Sequence, residues 1–225
     1  GYALLGHPGA YAASAERGVG RARRPPGAAA QQDKGNHDHY ANVAIADAQK
    51  MAHTGVAWTQ EQLSAEERAF LAALPLTART GRALLVHASA EAPSHWHYVT
   101  TPQTAALSLE GAATPPIGSG EVRYVFGGHV HQQTLYFRGG AGRLMPFEPT
   151  PGVVIPVPRH RHWLATVGAV GQPRDGRADA MYALFDEAAQ QLTFHRVPYD
   201  VQAAADAIRA TPLPVFFADR LEVGR

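Results

Sequence analysis

The sequence predicts a mixed α/β domain of the α+β or layered kind, and three observations predict it. Helical patterning is concentrated early in the chain and strand patterning late, which argues against a regular βαβ alternation. The 22 glycines and 17 prolines lie between short apolar runs, as loop punctuation does. With 45% apolar residues in 225, the chain can bury one sizeable core.

Residues 1–34 stand apart from the rest. Between Gly1 and Gln32 there is no Asp and one acidic residue, Glu16, against Arg17, Arg21, Arg23 and Arg24, followed by Pro25-Pro26-Gly27 and Ala28-Ala29-Ala30. Little periodicity of either kind is present, so this stretch is expected to be an atypical, poorly ordered N-terminal segment, with residues 35–225 forming the domain. Residues 41–53, with Val43, Ile45, Ala48, Met51 and Ala52, predict a helix. Ser64 followed by Glu67 is a capping box that opens a second helix through Phe70, Leu71 and Leu74, stopped by Pro75. Strands are expected at Ala83–Val86, Val122–Phe126, Val153–Val157, Trp163–Val167, Met181–Phe185 and Leu192–Arg196, and a short helix at Val201–Ile208. No internal repeat is visible.

Bulk properties exclude several roles. Twenty basic against 19 acidic residues leave no electrostatic footprint for nucleic acid or an anionic membrane. The absence of cysteine excludes disulfides and thiolate metal sites, so any metal must use His, Asp, Glu, Asn or water. It also fits a reducing compartment. No apolar run approaches the ~20 residues of a membrane span, and the start lacks the charged-then-apolar pattern of a signal peptide. A cytoplasmic protein acting on a small molecule is the expectation; oligomeric state is not readable.

Three segments deliver an imidazole or amide at the end of a short apolar strand or tight turn. They are Gly35-Asn36-His37-Asp38, Leu84-Leu85-Val86-His87 and Gly128-His129-Val130-His131. A side chain just past a rigid strand is held in place, which suits metal ligands. If His129-Val130-His131 is extended, its two imidazoles point the same way toward adjacent metal positions. The ordered set of three is far harder to reach by chance than any one piece.

This order resembles the calcineurin-like metallophosphoesterases, in particular a small bacterial branch, YfcE-like and related to diadenosine tetraphosphatases. The likeness extends to Trp58-Thr59-Gln60-Glu61-Gln62-Leu63, to Phe70-Leu71 with Leu74-Pro75, to Gly171-Gln172-Pro173-Arg174-Asp175-Gly176 and to Arg196-Val197-Pro198-Tyr199-Asp200, so it covers roughly residues 34–225. It implies a layered αββα sandwich, two mixed β-sheets flanked by helices, and metal-dependent hydrolysis of a phosphoric mono- or diester. It further implies two divalent ions (Mn, Fe, Zn or Ni), with Asn36, His87 and His129 binding one and His131 the other. His37 would be the acid, and Asp38 would hold and polarise it.

The family pattern opens with Asp-x-His and then Gly-Asp, and neither occurs in this sequence. The first strand and helix are therefore expected to be missing or degenerate, with His7 of Leu5-Gly6-His7 the only echo. Without the bridging carboxylate, repulsion between two dications is several kcal/mol even at high effective dielectric, and the expectation falls to one ion. The alternative reading is an inactive truncated or frameshifted remnant binding one metal weakly or none; a mononuclear histidine-metal hydrolase explains the histidines but not Gly-Asn-His-Asp. His95, His97, His39, His53, His160 and His162 read as solvated. Arg174 reads equally as a phosphate contact or as a partner of Asp175.

Overall fold

The chain's elements are seen in a computed structural model that describes residues 2–6, 15–23, 30–43, 51–113, 120–139 and 142–225. In chain order they begin β1 (Tyr2–Leu5), α1 (Ala15–Arg23), β2 (Ala30–Asp33), α2 (Asn36–Tyr40), α3 (Met51–Gln62), α4 (Ala65–Ala73), β3 (Thr77–Thr80) and β4 (Ala83–Val86). There follow α5 (Pro102–Ala112), β5 (Tyr124–Gly127), β6 (Gln133–Arg138), β7 (Leu144–Phe147), β8 (Val154–Pro156) and β9 (Trp163–Val167). The chain closes with β10 (Ala180–Asp186), β11 (Gln191–Val197), α6 (Val201–Arg209) and α7 (Phe216–Glu222).

Six strands form one mixed sheet in the order β3-β4-β5-β9-β6-β7, in which β4, β5 and β9 run parallel and the rest antiparallel. A three-stranded sheet, β10-β11-β8, is purely antiparallel, so only the larger of the two sheets is mixed. Leu192, Phe194 and Val157 on the smaller sheet pack against Leu85, Phe126, Leu135 and Ala165 on the larger, making the core between the layers. On the other face, Val86, Val125 and Leu164 meet Ala105 and Leu109 of α5. β4, β5 and β9 are therefore covered on both faces, which is why they read as continuous apolar runs. Each large aliphatic buried this way stabilises by about 1.5–3 kcal/mol.

Local signals set many boundaries. Ser64 Oγ accepts from Glu67 N while the Glu67 carboxylate accepts from Ser64 N, so the capping box starts α4, and Leu74-Pro75 ends it. Asp200 caps α6 through Ala203 N. Other expectations shift. In the helix expected over 41–53, Ala41–Val43 are turn and bend, 44–50 lie outside the described residues, and the helix starts at Met51. The strand expected at Val122–Phe126 is Tyr124–Gly127. β3, β6, β7, α5 and α7 were not expected: Thr-Ala-Arg-Thr of β3 has no apolar run, and Leu135 and Tyr136 of β6 are both buried, so that strand does not alternate. Among the described residues, no helix is long and apolar enough to cross a membrane.

Within residues 1–34 the described part is a strand–helix–strand. β1 and β2 pair in parallel as a separate two-stranded ladder. Val19 and Ala22 of α1 are buried, Val19 in a cluster with Leu63, Leu71 and Leu74. His7 lies outside the described residues.

Candidate active site

Parallel pairing assembles the site. Because β4 and β5 run side by side with Leu85 opposite Phe126, their C-terminal ends deliver His87 and His129 next to each other. His87 Nε2 stands 3.1 Å from His129 Nδ1 and 3.1 Å from the Asn36 side-chain oxygen. Gly128 N–H donates to the His87 carbonyl at 2.9 Å and locks the two strand ends together. β2 leads directly into α2, whose first residues are Asn36, His37 and Asp38; the Asp38 carboxylate accepts from Gly35 N–H at 2.9 Å. β9, parallel to β5, leads into the segment bearing Gln172 and Arg174.

Backbone carbonyls decide the tautomers. His87 Nδ1–H donates to the Leu5 carbonyl at 2.9 Å, and His131 Nδ1–H donates to the Gln172 carbonyl at 2.6 Å. Each ring then carries its lone pair on Nε2. The His87 lone pair faces the Asn36 oxygen, so two acceptors meet across 3.1 Å. A proton does not resolve that contact at neutral pH, because burial lowers His87 from 6.5 to about 4. His129 and His37 fall to about 3 and His131 to about 4, each first through burial, to which the nearby charge of Arg174 adds. A cation is what two facing acceptors and a second imidazole suit.

The donor set of Asn36, His87 and His129 thus fits one divalent ion. Among the described residues, no three His, Cys, Asp or Glu side chains are gathered closely enough to hold a metal; the cluster is two imidazoles and an amide. His131 is buried beside it and feels the charge of Arg174.

The backbone at the site is strained. Among the described residues, four outside glycine have positive φ, and three of them belong here: Trp96 (57°), His129 (58°) and His131 (62°). His129-Val130-His131 is therefore no extended segment with parallel side chains; both histidines are left-handed, and Val130 N–H closes back on the Gly128 carbonyl at 2.6 Å. Left-handed non-glycine residues cost about 1–3 kcal/mol each and persist where surrounding contacts hold them, which concentrates them at functional sites.

Two aromatic residues that sequence reasoning missed border the cluster. Tyr98, 48% exposed, stacks on His129 at 4.0 Å between centroids, and the Trp96 ring stands 6.1 Å from His87. Their position so close to His95 and His97 was the only available signal. Those two histidines are exposed, His97 within 3.3 Å of Glu91. Exposed His160 and half-buried His162 lie by Arg123 and Glu121 or beyond, at the opposite ends of β5 and β9. Asp175 pairs with Arg196 rather than with Arg174.

Gly6 follows β1 at φ +76°, where a Cβ would come within 2.3 Å of His87 Nδ1. Only glycine lets the Leu5 carbonyl approach that ring. Asp33, at the end of β2, is 1% exposed. The Gly6 amide lies near enough to moderate its charge, yet neither carboxylate oxygen completes a hydrogen bond. Burial, opposed by those amides and aided by Asp38, lifts it from 3.8 to about 8.

No family model matches the chain. Among curated proteins it is similar to an uncharacterized protein of Methanocaldococcus jannaschii, 27% identical over 197 residues, covering 85% of this chain and 74% of the other. Among solved structures it resembles a metallophosphoesterase from Sphaerobacter thermophilus, with a TM-score of 0.83 and 29% identity over 98% of this chain and 86% of that one. A hypothetical protein from Pyrococcus horikoshii superposes with a TM-score of 0.71 over 100% of this chain and 85% of its own, at 17% identity, and so shares the fold. The layers described above are those of a metallophosphoesterase fold. This likeness supports the calcineurin-like superfamily as a whole and does not single out its YfcE-like branch.

Proposed function

We propose that the chain is a metal-dependent hydrolase of phosphoric mono- or diesters, with His37 as the acid. The observation that carries this reading is the contact between the His87 lone pair and the Asn36 oxygen, on a metallophosphoesterase fold. Asn36, His87 and His129 would hold one divalent ion, and His131 would contribute to a second position. When bound, such ions supply Lewis-acid stabilisation of the charge that develops on the phosphoryl oxygens.

The chain's own residues do the rest. His37 is held neutral first by burial, to which the positive charge of Arg174 adds. A phosphoryl anion opposes those same influences, so substrate raises the proton affinity of His37 where the leaving oxygen needs a proton. Asp38 is buried at the start of α2 and fixes the segment that carries both Asn36 and His37. Strained His129 and His131 are aimed by their backbone, so no side-chain reorganisation is needed when substrate arrives.

The test is steady-state kinetics with Mn²⁺ on an activated aryl phosphodiester and monoester, with metal content measured. Metal-dependent turnover is expected. His37→Ala should lower kcat by about 10²–10⁴-fold with metal content unchanged, whereas His87→Ala should lose the metal. Bound metal without turnover of either ester would sink the proposal and favour the non-catalytic remnant.

A further inference from the structure

Arg174 has no role in the reading above, and its surroundings supply one. Its backbone is fixed by two bonds: Arg174 N–H donates to the His131 carbonyl at 3.1 Å, and Gln132 donates its side-chain amide to the Arg174 carbonyl at 3.0 Å; two residues earlier, the Gln172 carbonyl accepts from His131. The same segment therefore positions a metal-type histidine and the arginine beside it. One guanidinium nitrogen donates to the Gln172 side-chain oxygen at 3.2 Å, which fixes the direction of the fork. Nε is buried and has no hydrogen-bond partner.

Among the described residues no carboxylate lies within ion-pair distance of Arg174, and its sequence neighbour Asp175 is taken by Arg196. Its backbone bond to the His131 carbonyl sets it beside the histidine cluster, near enough for its charge to act on His37, His129 and His131. A partly buried guanidinium with an unpaired N–H, set beside these imidazoles, is incomplete without an anion. Its planar fork matches two oxygens of a phosphoryl group.

We infer that Arg174 is the phosphate-binding residue of this site: its guanidinium grips two non-bridging oxygens of the substrate's phosphoryl group, oriented by Gln172. This rests on the phosphoesterase reading for what the phosphate belongs to, but the binding itself needs neither metal nor turnover.

The experiment is titration of the metal-free full chain with inorganic phosphate, followed by calorimetry and by imidazole NMR signals. The proteins are wild type, Arg174→Lys and Arg174→Gln, with circular dichroism as the control for folding. Arg174→Gln should weaken phosphate binding roughly ten- to a hundred-fold. Arg174→Lys keeps the charge but loses the fork, and should fall between. In the metal-loaded protein the same variants should raise KM for phosphate esters. Folded Arg174→Gln binding phosphate as tightly as wild type overturns the inference, as does a wild type that binds no phosphate. Arg174-dependent phosphate binding in a chain without metal-dependent turnover would uphold it and sink the phosphoesterase reading instead; turnover with an unchanged KM in Arg174→Gln would do the reverse.

Discussion

Two sets of parallel strands end at the candidate site, and they are built differently. β4, β5 and β9 are clamped on both faces, by α5 on one side and by the smaller sheet on the other, and they end in His87, in Gly128-His129 and in the segment of Gln172 and Arg174. β1 and β2 pair only with each other in a two-stranded ladder; Leu4 is 39% exposed, and β2 reads Ala30-Gln31-Gln32-Asp33. The first set places side chains. The second leads through α2 into Asn36 and His37 and adds backbone, the Leu5 carbonyl and the close approach of Gly6, together with a carboxylate buried without a completed hydrogen bond. The difference shows two ways to aim a ligand: a strand held on two apolar faces does it by itself, whereas the β1–β2 ladder leaves the task to the turn after it, where the Asp38 carboxylate holds Gly35 N–H.

The largest expected effect probes the clamped set. Phe194 is fully buried between the sheets, so Phe194→Ala should destabilise by about 3–5 kcal/mol, read as a shift in the urea midpoint. A loss under 1 kcal/mol would break the comparison, because the clamp would then not be holding β4 and β5.

The next effect separates the two sets by pH in the metal-free chain. The folded state raises Asp33, so it keeps a proton that the unfolded chain has released; stability from this group is full below about 4 and is lost as pH rises toward about 8. The histidines run the other way: lowered from 6.5 to between about 3 and 4, they contribute stability that is present above 6.5 and lost as pH falls. Each pH unit between the unfolded and folded values of Asp33 corresponds to about 1.4 kcal/mol, so Asp33→Asn should be more stable than wild type by about 2–4 kcal/mol at pH 9 and equal at pH 4. Denaturant unfolding at pH 4, 7 and 9 measures it; parallel curves for the two proteins would mean that Asp33 is solvated.

The smallest effect sharpens the contribution of the β1–β2 pair. Gly6→Ala places a methyl against His87 in a left-handed backbone, costing about 1–2 kcal/mol and moving the His87 ring from the Leu5 carbonyl. Metal affinity should fall with overall fold retained. Unchanged affinity by calorimetry would show that the Leu5 contact does not fix the tautomer.

Much of this was legible from local signals. The α4 capping box, the strand runs at Ala83–Val86 and Trp163–Val167 and the β10–β11 hairpin are each settled by neighbouring residues. So was the meeting of Asn36, His87 and His129, because polar side chains placed just past a strand end or a glycine stand out in the sequence. Other features left no such trace. α5 and β6 are buried or capped without a clean period, and the histidine turn was expected to be extended.

By itself, the sequence determined the kind of domain, the absence of thiolate chemistry and which imidazoles and amide would be offered, since these depend on residue types at short range. Only the tertiary structure decided that the His87 lone pair meets the Asn36 oxygen, that the Leu5 and Gln172 carbonyls choose the tautomers, and that Arg174 bonds to the Gln172 side chain while Asp175 pairs with Arg196. Those depend on which strands lie side by side and on backbone carbonyls that every residue carries alike, so no side-chain pattern along the chain could announce them.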